Sequence, residues 1–167
     1  MKIDPSSPPI LSVVVPVLNE AEVIERTLER LVAQEAIDEV IIVDSGSDDG
    51  TPDIVDQFAA THPKVELIHE PTRGIPAARN AGFDKARGEF IARTDADTFV
   101  AADWGATIRE FFTAHPETAA ITGLCTYHDS PIGFILKFGQ CCFASASSAA
   151  KSATCTGRIW RSAAALV

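Results

Sequence analysis

The sequence has little positive charge. Its 167 residues hold 14 Lys and Arg against 23 Asp and Glu, which gives a net charge of −9. Proteins that bind nucleic acid without regard to sequence neutralise its phosphates with clustered Lys and Arg, so this composition argues against a nucleic-acid partner. A phosphate group bound here would depend on a few locally placed residues.

Long apolar runs are also missing. The N-terminal segment MKIDPSSPP lacks the apolar core of a secretory signal, and we predict a flexible tail over residues 1–9 of a cytoplasmic protein. The most apolar late stretch, residues 132–150, is interrupted by Lys137 and Gln140, which predicts no transmembrane helix. Peripheral association with the inner face of the membrane stays open as an alternative.

Cysteine is sparse and follows no metal or redox pattern. The four cysteines include no CxxC pair, and they are Cys125, Cys141, Cys142 and Cys155. We expect thiols buried in a reducing compartment.

Apolar runs alternate with amphipathic segments along the first hundred residues. Four runs predict buried strands, at residues 10–17, 40–43, 65–68 and 90–94. Helical spacing of apolar residues predicts the intervening helices, over residues 20–34, from residue 51 onward and over residues 75–86. Asn19 and Thr51 are expected to cap the first two helices. The alternation predicts an α/β fold with a mostly parallel, doubly wound sheet.

Acidic and amide side chains gather where the predicted strands end. The first strand leads into Asn19 and Glu20, the second into Asp44, and the fourth into Asp95 and Asp97. Open parallel sheets bind ligands at the carboxyl ends of their strands. Asn and Asp also favour turns, so any one of these loops has a structural explanation as well. The three loops together predict a ligand site at this edge of the sheet.

The segment RTDADT, residues 93–98, contains a pair of aspartates. Two carboxylates at i and i+2 of an extended segment project to the same side. They suit a hard divalent cation, with coordination positions left for water and a diphosphate. In the alternative interpretation, Asp95 ends a strand and Asp97 caps a helix over residues 103–114.

Three segments occur in the order and at the spacings seen in family 2 glycosyltransferases: VVVPVLNE (13–20), VDSGSDDGT (43–51) and RGIPAARNAGFDKARGEFIARTDADT (73–98). The chain resembles this family over roughly residues 10–127. The resemblance implies a GT-A fold, a Rossmann-like sheet flanked by helices, with a nucleotide-sugar-binding subdomain at residues 10–98 and a partial acceptor-binding subdomain at 99–167. It also implies a UDP- or GDP-linked sugar donor, Mg2+ or Mn2+, and usually inversion at the anomeric carbon.

The resemblance assigns roles around the nucleotide. Pro16, Val17 and Asn19 correspond to the segment that walls the nucleotide pocket, and Glu20 to the acidic position beside it. Asp44 corresponds to the carboxylate that accepts a hydrogen bond from the base. A first-turn charge for Glu20 and a turn residue at Asp44 stay open as alternatives.

The resemblance also assigns roles around the diphosphate. Arg79 corresponds to a basic residue near the nucleotide and diphosphate, with a surface salt bridge as the alternative. Asp97 corresponds to the direct metal ligand, and Asp95 lies nearer the ribose and the outer shell of the cation. Asn80 and Gly82 are expected to be structural, in helix packing and capping.

No Asp or Glu follows Asp129. Inverting transfer needs a base to activate the acceptor hydroxyl, and the family's base-bearing motif lies beyond the resembling segments. The sequence therefore predicts a C-terminally truncated glycosyltransferase domain whose general base is not identified. Two alternatives stay open, a nucleotide-sugar-binding module without turnover and a nucleotidyltransferase-like enzyme.

Overall fold

A computed structural model of the protein describes residues 10–122 and 158–161. The elements in chain order are β1 (Leu11–Val17), α1 (Ile24–Val32), β2 (Glu39–Asp44), α2 (Thr51–Ala59), β3 (Val65–His69), α3 (Ile75–Lys85), β4 (Phe90–Arg93), α4 (Trp104–Ala114), β5 (Ala120–Thr122) and β6 (Arg158–Arg161). The predicted tail, the four cysteines and the apolar stretch at 132–150 lie outside the described residues. Of the helices described, none combines the length and apolar content needed to cross a membrane.

The strands form one sheet in the order β3-β2-β1-β4-β6-β5. β1 pairs in parallel with β2 on one side and with β4 on the other, and β2 pairs in parallel with β3. β6 adds to β4 in antiparallel orientation, and β5 adds to β6. The predicted α/β fold with a mostly parallel sheet is confirmed. The sequence analysis did not predict β6, since this short segment is far along the chain from the strand that it pairs with.

Both faces of β1 are buried, which explains its continuous apolar sequence. Val13 and Val15 face a core built with α1, α2 and α4, whereas Val14 faces a smaller core that contains Ala78 of α3. All three valines are fully buried. Helices therefore cover the sheet on both faces, as the crossover connections of a parallel sheet require.

α1 begins later than predicted, whereas α2 begins at residue 51 as predicted. α1 starts at Ile24, after a turn, and Asn19 adopts a left-handed conformation with φ of 58° far from the first helical residue. The predicted cap at Asn19 is therefore wrong. The N-cap of α2 is Gly50, with φ of 90°, and Thr51 is the first residue inside the helix. The hydroxyl of Thr51 serves instead to join two loops at the candidate site.

A buried polar network fixes the amino-terminal edge of the sheet. Glu39 is only 3% exposed, and its carboxylate accepts hydrogen bonds from Ser12 Oγ at 2.5 Å and Arg87 Nε at 2.7 Å. Ser12 Oγ in turn accepts from the Gly88 amide at 2.9 Å. Because the buried charge has an ion-pair partner and hydrogen bonds, its desolvation is offset. This network ties β1 and β2 to the α3–β4 connection.

α3 packs closely on the sheet through Gly82. A Cβ atom at this position would lie 2.3 Å from Val14 Cγ1 and 3.0 Å from Val43 Cγ2. The expected packing role of Gly82 is thus confirmed. Asn80 is exposed in the middle of the helix, so it does not cap it.

We predict that Gly82→Ala lowers the free energy of unfolding. Overpacking costs typically 1–3 kcal/mol, while the better helix propensity of alanine returns about 1 kcal/mol, so we expect a net loss of about 1 kcal/mol. Urea unfolding followed by circular dichroism measures the change. Asp84→Ala, at an exposed position of the same helix, is the control and should change stability by less than about 0.5 kcal/mol. Equal stability of Gly82→Ala and wild type would contradict close packing.

Candidate functional site

The loops that follow β1, β2 and β4 leave the sheet at the same edge, because these three strands are parallel neighbours. The chain first builds outward from β1 to β2 and β3 and then returns to place β4 on the other side of β1. This reversal next to β1 is the topological switch point at which open α/β sheets bind ligands. The fold thus brings the candidate residues Asn19, Glu20, Asp44, Asp95 and Asp97 to one edge.

Asn19 joins the loop after β1 to the loop after β2. Its amide donates to Ser47 Oγ at 2.9 Å, and its side-chain Oδ1 accepts from the Asp48 amide at 2.9 Å. The left-handed conformation, which Asn tolerates better than most residues, aims both groups at the neighbouring loop. Asn19 therefore holds the loop after β1 against the loop after β2, through its backbone amide and its side-chain oxygen.

A second set of hydrogen bonds joins the same loops closer to α2. The Glu20 amide donates to Thr51 Oγ1 at 2.9 Å, and the Ala21 amide donates to Asp49 Oδ2 at 2.9 Å. Thr51 also donates its hydroxyl to Asp49 Oδ1 at 2.5 Å. The Thr51 hydroxyl and the Ala21 amide hold the pKa of Asp49 below its usual value, which keeps this carboxylate charged as an acceptor.

Pro16 and Val17 end β1 in different environments. Val17 is 3% exposed, and its side chain belongs to the core, so only its backbone is available to a ligand. Its carbonyl already accepts from the Ser45 amide at 3.1 Å. Pro16 is half-buried and pairs with Val43 of β2.

Asp44 is buried at the end of β2 and is held by its own loop. Its carboxylate accepts from the amides of Gly46 and Ser47, both at 3.1 Å, and lies 3.4 Å from His69 Nδ1. Burial by itself would raise the pKa of Asp44, but the hydrogen bonds from Ser47, Gly46 and His69 outweigh it and lower the pKa. Asp44 is thus ionised. Its carboxylate stabilises the turn that follows β2 and lies at the carboxyl edge of the sheet.

Acidic side chains from the loops after β1, β2 and β4 repel each other at the centre of the edge. Partial burial and the negative charges of Asp97, Asp49 and Asp95 raise the pKa of Glu20. Asp95 has a compensating partner, Arg93, whose Nη2 lies 2.5 Å from Asp95 Oδ1. Negative charge therefore accumulates here without full compensation.

Asp97 is exposed and makes no hydrogen bond or ion pair with the residues that the structure describes. It does not cap a helix, since α4 begins at Trp104 with Asp103 in the N-cap position. The capping alternative for Asp97 is therefore wrong. Within residues 10–122 and 158–161, no group of three or more His, Cys, Asp and Glu side chains could hold a metal ion. Asp97 and Asp95 could supply only part of a coordination shell.

Arg79 lies on α3, and its guanidinium Nε and Nη2 donate to Asn80 Oδ1 at 3.2 and 3.1 Å. In the described part of the chain it pairs with no acidic side chain, so the surface salt bridge is not found there. A second arginine, Arg73, was missed in the sequence analysis. Its Nη2 donates to the Gly46 carbonyl at 3.2 Å, against the loop that holds Asp44. The sequence signal that could have identified Arg73 is its position just before the predicted helix at residue 75, at the carboxyl edge of the sheet.

The model of the family described as glycosyl transferase family 2 matches residues 12–134. EpsH of Bacillus subtilis, which carries a glycosyltransferase name, is 37% identical over 120 residues, covering 71% of this chain and 34% of that protein. Glycosyltransferase AglE of Haloferax volcanii is 38% identical over 103 residues, covering 59% of this chain and 34% of that protein. The chain spans about a third of the length of these curated relatives.

Solved structures of glycosyltransferases share the fold. The mannosyltransferase PcManGT of Pyrobaculum calidifontis, solved in complex with GDP-Man and Mn2+, is 35% identical with a TM-score of 0.64 over 75% of this chain and 38% of that one. S. aureus TarS 1–349 is 20% identical with a TM-score of 0.63 over 91% of this chain and 45% of that one, a likeness in fold alone. The GT-A fold implied by the sequence resemblance is confirmed.

We predict that Asp44→Asn destabilises the protein in a pH-dependent way. At pH 7 the ionised Asp44 accepts two amide hydrogen bonds, and replacing the charged acceptor should cost about 1 kcal/mol. Because the folded-state pKa is lowered from 3.8, the stability contributed by Asp44 is present above pH 3.8 and is lost as the pH falls through the folded-state value. Urea unfolding between pH 3 and pH 7 measures the difference. A pH-independent difference between variant and wild type would contradict the prediction.

Proposed function

The chain belongs to glycosyl transferase family 2, and we propose that it forms the nucleotide-sugar-binding part of a metal-assisted, inverting glycosyltransferase. The observation that carries this proposal is the convergence of Glu20, Asp44, Asp95 and Asp97 at the switch point of a parallel sheet. Nucleotide-binding sheets of this kind place their ligand at that point. In this proposal residues 10–98 bind the donor, and residues 99–167 are part of the acceptor-binding half.

The nucleoside lies against the ends of β1 and β2. An ionised carboxylate has about four lone-pair positions, and Asp44 uses three of them, for the Gly46 and Ser47 amides at 3.1 Å and for His69 Nδ1 at 3.4 Å. The ring N–H of a uracil or guanine base can donate to a remaining position, which favours a UDP- or GDP-linked sugar. Pro16, the backbone of Val17, and Asn19 form the adjoining wall.

The acidic edge has the chemistry to hold Mg2+ or Mn2+. Asp97 offers an exposed carboxylate, Asp95 a second one, and nearby Glu20 adds to the uncompensated negative charge. Hard oxygen ligands of this kind suit either cation, with the diphosphate and water completing the shell. The related PcManGT was solved with GDP-Man and Mn2+, which supports a divalent cation beside a nucleotide-sugar donor for this chain. A bound cation would offset the negative charge of the departing nucleoside diphosphate.

An arginine on α3 is the expected partner of the diphosphate. Arg79 is held only by the neutral Asn80 in the described part of the chain, so its charge is not neutralised by an acidic neighbour. The planar guanidinium can donate two parallel hydrogen bonds to phosphate oxygens. Arg79 is therefore assigned to the support of the diphosphate.

We expect Asp97→Ala to abolish metal-dependent donor binding. Isothermal titration of the 167-residue chain with GDP, UDP and their common sugar conjugates, with and without Mn2+, measures the effect. Removing a direct ligand should weaken binding in the presence of Mn2+ by more than about tenfold, since even outer-shell substitutions cost that much. Binding without metal should change little.

Asp56→Ala is the matched control, because it removes the same charge from an exposed position on α2. It should bind like wild type. Failure of the wild-type chain to bind either nucleotide under any metal condition would contradict the donor site. Equal metal-dependent binding by Asp97→Ala and wild type would contradict the assignment of Asp97.

A further inference from the structure

α1 is fastened to the turn that carries the aspartate pair. Thr27 is fully buried in this helix, and its Oγ1 donates to the Ala96 carbonyl at 2.5 Å. Ala96 lies between Asp95 and Asp97 in the chain and is itself 3% exposed. Thr98 closes the same turn by donating its amide to the Asp95 carbonyl at 3.1 Å. Among the described residues, Thr27 is therefore the side chain outside the turn that hydrogen-bonds to its central residue, Ala96.

The rest of the loop is attached at separate points, to α1 and to Gln34 just after it. Gln34 donates to the Ala101 carbonyl at 3.1 Å and accepts from the Gly105 amide at 2.8 Å. The guanidinium groups of Arg26 and Arg30 lie 5.1 and 4.7 Å from the centre of the Phe99 ring. These contacts hold the loop between the turn and α4, so loss of the Thr27 hydrogen bond would act on the turn alone.

We propose that Thr27 is a positioning residue, which sets the aspartate pair in place for a divalent cation through the Ala96 carbonyl; this inference rests on the proposed function. The carboxylates of Asp95 and Asp97 are exposed, whereas the backbone between them is buried. Thr27 thus controls the carboxylates without contacting a cation or a nucleotide.

The physical reason is electrostatic. Asp95, Asp97 and Glu20 carry like charges on neighbouring loops, and their mutual repulsion favours a turn that moves away from β1. The Thr27 hydrogen bond opposes this movement, because a displaced Ala96 carbonyl would leave a buried acceptor without its donor. The hydrogen bond from Thr27 is neutral and forms without a cation, so the turn keeps its position before a cation binds.

Thr27→Val tests the proposal, since valine has nearly the same shape and lacks the hydroxyl donor. Electron paramagnetic resonance of Mn2+ in the presence of GDP measures the metal affinity of the full 167-residue chain. We expect about tenfold weaker Mn2+ binding, as for other residues that orient a metal ligand from outside the coordination shell. The affinity for GDP without metal should stay unchanged, and Thr27→Ser, which keeps the hydroxyl, should restore Mn2+ binding.

Ser12→Ala is the control for a general loss of stability. It removes a buried hydroxyl from the opposite edge of the sheet, where Ser12 donates to Glu39, and it should leave Mn2+ affinity unchanged. Wild-type Mn2+ affinity in Thr27→Val would overturn the proposal. An equal loss of metal-free GDP binding in that variant would also overturn it, because Thr27 would then support the whole site.

Hydrogen exchange of the ligand-free chain separates this inference from the proposed function. Thr27→Val should speed exchange of the Thr98 amide, which is bonded within the turn, and leave β1 and β2 protected. If the wild type binds neither GDP nor Mn2+, the proposed function fails, and the role of Thr27 toward a cation fails with it. If the wild type binds both and the Thr98 amide exchanges equally in both proteins, only the Thr27 proposal is overturned.

Discussion

The parallel pairing of β1 with β2 on one side and with β4 on the other determines where the candidate residues lie. Parallel strands must all run in the same direction, so their following loops emerge together at one edge and their preceding loops at the other. The register places Val17 beside Asp44 and Val14 beside Arg93, which brings the loops after three strands to neighbouring positions. Residues separated by several dozen positions in the chain thus become neighbours.

Bringing those loops together concentrates negative charge, and hydrogen bonds hold the arrangement. Asn19 and Thr51 join the loops after β1 and β2 through backbone amides, while Thr27 holds the turn after β4. The Asp49 carboxylate also joins the first two loops, because it accepts from the Ala21 amide. The loops can therefore keep Glu20 and Asp97 close despite the repulsion that raises the pKa of Glu20.

The parallel core of the fold was predictable from the sequence, because each of its strands is an apolar run buried on both faces. The start of α1 was less predictable. Asn19 has the chemistry of a helix cap, but its left-handed backbone directs Oδ1 to the Asp48 amide instead, a tertiary contact that helix periodicity does not report. The contact of Thr27 with Ala96 depends on packing between α1 and the turn after β4, 69 residues along the chain, and no local pattern marks it.

The two edges of the sheet differ in how their acidic groups are paired, and this difference supports the proposal that the carboxyl edge binds the ligand. At the amino-terminal edge the buried Glu39 carboxylate pairs with the exposed Arg87 and accepts a hydrogen bond from the buried Ser12, so its charge has a partner. At the carboxyl edge Asp97 is unpaired among the described residues, and Glu20 faces like charges. Folding alone would favour pairing these groups as Glu39 is paired. A positively charged ligand binds more favourably at this edge than elsewhere on the surface, because it relieves the repulsion between like charges that is present in the folded chain.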